Sequence, residues 1–178
     1  MMVVYTRIVF PHMNRDRINE IEARAQDVLL TVFEDESAFN LPINLSKIAS
    51  TLELTLKEGD FKDKEVIGAY DKDAKTIYVA KNDPYPRRAF TIAHEMGHFV
   101  LHDDKKQETF FRKDLIFVEK TDLPMEQEAN CFAANILMPK GTLIRYQKIV
   151  KDPDYLADIF GVSKSAMLLR LQTLGLGA

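Results

Sequence analysis

The run His94-Glu95-Met96-Gly97-His98 constrains this chain more than any other feature. It lies in a stretch carrying Phe90, Ile92, Ala93, Val100 and Leu101, which follows the break Asn82-Asp83-Pro84-Tyr85-Pro86 and reads as a largely buried helix over 87–102. Residues four apart on a helix sit one turn apart, about 40° round the axis and about 6 Å along it. Two imidazoles so placed can bind one tetrahedral zinc ion. Glu95 points to the side, where a carboxylate can hold a metal-bound water and accept its proton. Two histidines and a glutamate on a buried helix are costly unless something satisfies them. The bland alternative is a pair of hydrogen-bonded core histidines. With this chain's His and Glu content, His-Glu-x-x-His arises by chance in roughly one such sequence in two hundred, so the metal reading outweighs it.

Two histidines leave such a site incomplete; a third protein ligand is needed, with the fourth position open to water. His102, Glu126 and Glu128 are the candidates. His102 extends the series by another turn, but a continuous helix does not easily wrap three turns round one ion. It reads instead as a residue behind the ligands or as a helix-end cap. Glu126 and Asn130 are one turn apart on a second helix that Pro124 opens and Pro139 ends. There Glu126 can ligate while Asn130 orients a zinc-bound imidazole through its other nitrogen. Glu128 is rotated about 200° from Glu126, so the two cannot both face the metal. The spacing favours Glu126, and Glu128 reads as a solvated acid favoured in the first turn by the helix dipole.

The rest of the chain supplies an α+β frame. Residues 3–10 read as a short strand or extended arm. Ile18, Ile21, Ala25, Val28, Leu29 and Val32 give 15–34 a helical period, and Pro42 and Asn44 open a second helix over Leu45, Ile48, Ala49 and Leu52. A strand is expected at 52–57, then a hairpin of 66–70 and 76–80 about Asp71-Lys72-Asp73-Ala74-Lys75, a turn without glycine. Together these form a small antiparallel sheet. Residues 103–123 are charged and irregular, with strand pieces at 109–112 and 115–118, and 103–106 are placed to rim the cleft. The last forty residues read as helices broken at Asp152-Pro153 and Gly161.

The two blocks His94-Glu95-Met96-Gly97-His98-Phe99-Val100-Leu101-His102 and Glu126-Gln127-Glu128-Ala129-Asn130-Cys131-Phe132-Ala133-Ala134-Asn135-Ile136-Leu137-Met138-Pro139 resemble the ImmA/IrrE family of metallopeptidases. The resemblance runs from about Leu41 to the C-terminus; the segment before about residue 40 matches no family pattern. It implies a gluzincin-like zinc centre, one ion per chain, with His94, His98 and Glu126 as ligands and Glu95 as general base. It further implies a bacterial or phage protein of the cytoplasm that cleaves a helix-turn-helix transcriptional repressor of a mobile element or stress response. The expected division is a zincin-like domain with an N-terminal helical arm over 1–139 and a helical subdomain over 140–178. The competing reading is a non-catalytic zinc-fold regulator, or antitoxin-like protein, that binds a partner protein or DNA. Glu95 argues against it, since a purely structural site does not need that side chain.

The remaining features narrow the class. Leu156 to Leu171 has the rhythm of a helix-turn-helix, with Gly161 in the turn and Ser163 as cap. Lys164 and Arg170 are its only basic residues, which is thin for phosphate neutralisation, so packing or substrate docking is favoured over DNA contact. A formal net charge of −3 gives no global attraction to nucleic acid. The one cysteine, Cys131, excludes a disulfide framework and reads as a buried structural thiol. No apolar run approaches the ~18 residues that span a membrane, and no signal-peptide pattern follows Met1. Tyr70, Tyr78 and Tyr146 are candidate oxyanion stabilisers, with nothing in the sequence to select one. His12 has no assigned role.

Overall fold

A computed structural model describes residues 13–35, 39–61, 66–102, 110–113 and 124–177. The expected strand at 3–10, His12, the rim at 103–106 and the strand piece at 115–118 lie outside them. Helix α1, Arg15–Phe33, starts where the Asn14 side chain accepts a hydrogen bond from the Arg17 backbone N–H at 2.8 Å. It buries Ile21, Ala25, Leu29 and Val32, one stripe at the helical period. Asn44 caps α2, Leu45–Thr51, in the same way through Lys47 N–H, and Leu45, Ile48 and Ala49 face the core.

Strand β1 is Thr55–Gly59; it begins later than the sequence pattern suggests because Leu52 and Glu53 complete the turn that ends α2, with Glu53 at φ 58°. Strands β2, Val66–Asp71, and β3, Thr76–Ala80, form the expected antiparallel hairpin. Its turn closes without glycine: the Ala74 N–H donates to Asp71 Oδ1 at 3.0 Å, and Lys75 takes the left-handed position at φ 46°. Strand β4, Phe110–Lys113, pairs with β2.

The sheet order is β1-β3-β2-β4, and here the expectation of an antiparallel sheet is corrected. β1 pairs with β3 in parallel, Thr55 opposite Thr76 and Gly59 opposite Ala80, so the sheet is mixed. The hairpin's second strand, not its first, lies beside β1. After two reversals of direction, that neighbour runs parallel to it. Alternation of apolar residues along a strand fixes its buried face but not its partner.

Helix α3, Tyr85–His102, packs against β2, β3 and a second long helix, α4, Pro124–Leu137; α1 covers α4 in turn. Contact on several sides leaves Ala93, His94, Glu95, Met96, Gly97 and His98 consecutively buried. α5, Lys140–Ile149, follows Pro139, and α6, Pro153–Phe160, and α7, Lys164–Thr173, close the described chain. Gly161 occupies the left-handed position at φ 66°, and Ser163 Oγ caps α7 through the Ala166 N–H. No helix among the described residues is long and apolar enough to cross a membrane.

Arg170, read from sequence as one of two basic residues on α7, turns inward. It is buried, its Nη2 donates to Asn135 Oδ1 at 2.6 Å and its Nε to the Met138 carbonyl at 3.2 Å. This clasp binds the last helix to the end of α4. Replacing Arg170 with Ala strands two buried acceptors, and we expect a loss of about 3 kcal/mol in denaturant unfolding. An unchanged midpoint would mean that the clasp does not hold α7 in place.

Candidate metal centre

Two small residues set the distance between α3 and α4. A Cβ added at Gly97 would lie 3.0 Å from Ala129 Cα, 3.2 Å from the Ala129 carbonyl oxygen and 3.2 Å from Phe132 Cβ. The helices thus touch backbone to backbone, and the first turn of α4 reaches the histidines of α3. His94 Nε2 lies 3.2 Å from Glu126 Oε2, His98 Nε2 lies 3.2 Å from Glu126 Oε1, and the two imidazole Nε2 atoms are 3.0 Å apart. Ligand atoms spread tetrahedrally at zinc bond lengths are about 3.3 Å from one another. The three separations therefore match one shared ion, and these residues form the potential metal-holding group found among the described residues.

The ring nitrogens that face away from this point support the same reading. His94 Nδ1 lies 2.8 Å from Asn130 Oδ1; the amide oxygen only accepts, so Nδ1 carries a proton and the ring's orientation is fixed with Nε2 toward the centre. Burial acts to raise the Glu126 carboxyl, but hydrogen bonds and charge from His94 and His98 outweigh it and hold the group well below the usual carboxylate range. Glu126 is therefore an anion facing two imidazoles, a donor set suited to zinc.

Glu95 is fully buried on α3. Its Oε1 would stand 3.7 Å from a Cβ placed at Gly68 of β2, and the same Cβ would meet Thr91 Cγ2 at 2.2 Å. Glycine at 68 lets the strand lie directly against the face of α3 that carries Thr91 and Glu95. The sequence reading missed Gly68, although a glycine inside a strand pattern is a signal for close approach. It missed the packing role of Gly97 as well, taking that residue only as a motif position.

His102 and Glu128 form a separate pair. His102 Nε2 lies 2.8 Å from Glu128 Oε2, and His102 Nδ1 lies 3.2 Å from His98 Nδ1. Glu128 is not the solvated acid expected from its place in the first turn: its side chain is 13% exposed and receives a bidentate pair from Arg17, Nε to Oε1 at 2.9 Å and Nη2 to Oε2 at 2.6 Å. The expectation failed because α1, whose docking place the sequence does not reveal, covers this side of α4. Arg17 carried no signal beyond its position after the Asn14 cap.

Tyr70 and Tyr78 lie on the paired strands β2 and β3, and Tyr146 lies on α5. Tyr70 is buried edge-on against Phe99, Tyr146 stacks edge-on with Phe160, and Lys57 Nζ lies 5.8 Å from the Tyr78 ring centroid. Cys131 is buried, and burial pushes its thiol up to about 12, far from a reactive thiolate.

The family model described as IrrE N-terminal-like domain, of peptidase family M78, matches residues 49–172. No curated protein matches the sequence. Among solved structures, one described as a Mycobacterium tuberculosis transcriptional regulator superposes with a TM-score of 0.56 at 18% identity, covering 89% of this chain and 47% of its own. The present chain thus spans about half the length of that structure, and the likeness is one of fold.

If Gly97 sets the approach of the two helices, Gly97→Val should cost about 3 kcal/mol of stability, since its side chain meets backbone rather than a movable side-chain end. It should also weaken zinc binding, measured by competition with a chromophoric chelator. Wild-type affinity in a folded variant would remove the close approach from the account of the site.

Proposed function

The chain belongs to the ImmA/IrrE family, and from that premise we propose that it is a zinc-dependent endopeptidase whose substrate is a helix-turn-helix transcriptional repressor. The convergence of His94 Nε2, His98 Nε2 and Glu126 on one point, beside a buried glutamate, carries this reading. His94, His98 and Glu126 would hold the ion. Zinc bound there would supply a Lewis acid that polarises the scissile carbonyl and acidifies water.

Hydrolysis adds water across the C–N bond: hydroxyl to the carbonyl carbon, proton to the amine nitrogen. Glu95 is the carboxylate that takes the proton from water and delivers it to the leaving amine. Asn130 keeps the His94 ring fixed through Nδ1. No covalent intermediate is called for, which agrees with the inert Cys131.

The repressor substrate is supported by the family and by the regulatory description of the structural neighbour. Direct DNA reading by the C-terminal helices has less support. Lys164 is paired with Asp154, and Arg170 is buried. Leu168 and Leu169 are instead exposed on α7, at 47% and 46%, which suits contact with a protein.

We expect about one zinc per purified chain by elemental analysis. Glu95→Gln should keep that zinc yet lose cleavage of a co-encoded repressor by about 10²–10⁴-fold. A chain that takes up no zinc refutes the metal centre. Normal cleavage by Glu95→Gln refutes the assigned base. A zinc-loaded wild-type chain that leaves the repressor intact and binds its operator favours the non-catalytic regulator.

A further inference from the structure

We propose that the exposed face shared by α6 and α7 is a docking surface for the basic, DNA-contacting side of the repressor substrate. The partner named here rests on the peptidase reading above; the surface rests on its own residues.

Two helical arcs make this face. On α6 the exposed residues Asp154, Tyr155 and Asp158 lie within about 100° of rotation. On α7 the exposed residues Lys164, Leu168 and Leu169 lie within about 140°. The other sides of the two helices carry the buried Phe160, Met167 and Leu171. An ion pair between Lys164 and Asp154 joins the arcs at the first turns of the helices. Asp158 stands one turn on from Asp154, and Leu168 one turn on from Lys164, so both continue the joined side.

The apolar part of the face is not needed to hold the fold. Met167, Leu171 and the Arg170 clasp anchor α7 from its inner side, whereas Leu168 and Leu169 stand side by side toward solvent. Tyr155 on α6 is 58% exposed. A single exposed apolar residue is ordinary; three on one face, bordered by charge, are the pattern of a surface that another protein covers.

The charge on the face selects the partner. Lys164 is held above its ordinary value first by its hydrogen bond to Asp154 and further by the charges of Asp158 and Asp152, so three carboxylates surround one ammonium group. The neighbouring cations are turned elsewhere: Lys151 Nζ donates to the Gln147 carbonyl of α5 at 2.9 Å, and Arg170 is buried. An acidic surface of this kind repels phosphate and attracts lysine and arginine. A repressor that grips operator DNA carries those cations where it meets the phosphates. Acidic residues interleaved with Tyr155, Leu168 and Leu169 complement that side of it, in charge by the aspartates and in desolvation by the apolar groups. The element with helix-turn-helix rhythm therefore meets a DNA-binding protein in place of DNA, and it competes with the operator for the same repressor surface.

Calorimetric titration of the full-length Glu95→Gln chain with the co-encoded repressor reads the docking apart from cleavage. The double substitution Leu168→Ser, Leu169→Ser and, separately, Asp158→Lys should each weaken binding about 10-fold. Asp158→Lys changes an exposed residue in the last turn of α6, where a cation suits the helix dipole, so it serves even if the leucine variant fails to fold. Saturating operator DNA should suppress the binding. In the wild-type background the same substitutions should raise KM for the intact repressor by about the same factor, leave kcat unchanged, and spare hydrolysis of a short peptide spanning the cleavage site. Undiminished affinity in a folded Asp158→Lys chain overturns the docking surface, as does binding that operator DNA does not suppress. Direct operator binding by this chain, or self-association abolished by the leucine substitutions, gives the face to another occupant and overturns it too. A chain that binds the repressor through this face yet cleaves nothing overturns the peptidase reading and leaves the docking surface standing.

Discussion

The centre depends on how closely α3 approaches α4. Ligands on two helices meet only if the helix axes are near enough for a glutamate to reach imidazoles across the gap. Gly97 against Ala129 gives that spacing by removing side-chain bulk from both surfaces. Two other parts of the fold buttress this contact. The sheet packs on α3, with Gly68 letting β2 lie flush against Thr91 and Glu95, and α1 packs on α4. A helix pair gripped from both sides resists separation, and a metal site needs that rigidity because its ligand atoms must hold to within a fraction of an ångström.

A cluster of two imidazoles and a carboxylate in a nearly dry site is costly to keep empty. Here the outward-facing nitrogens of His94 and His98 absorb part of that cost through polar neighbours. His94 and His98 are held at their outer nitrogens by different routes. Asn130 is a single fixed acceptor on the adjoining helix. His98 Nδ1 faces the His102 imidazole, whose other nitrogen lies against the Glu128 carboxylate. One route uses a single residue of α4. The other uses α3, α4 and α1 together.

The part of the site carried by local spacing was legible in the sequence. His94 and His98 one turn apart, and Glu126 one turn before Asn130, are statements about single helices, and the structure brings those four side chains together. Helix limits and the β2–β3 hairpin were legible for the same reason, since caps, prolines and apolar periods act over a few residues. What escaped was lateral: the parallel pairing of β1 with β3, the burial of Arg170, and the docking of α1 that takes Glu128 out of solvent. Each depends on which surfaces meet, and a one-dimensional pattern marks a surface as apolar without naming its partner. Gly97 and Gly68 stand between the two cases. They are visible as glycines in elements that glycine weakens, and that weakness is itself a sign of close approach.

The paired acids of α4 show how one short stretch supplies two functions. Glu126 and Glu128 differ by two positions, about 200° of helix rotation, so they cannot address the same point. Glu126 meets the inner nitrogens of His94 and His98; Glu128 meets the outer nitrogen of His102, which in turn meets the outer nitrogen of His98. His98 is thus served by both acids, one at each of its nitrogens, directly by Glu126 and through His102 by Glu128. The spacing Glu-x-Glu, combined with three histidines on successive turns of α3, makes this double engagement geometrically available. It also gives His102, one turn beyond His98, a place between that ring and the Glu128 carboxylate.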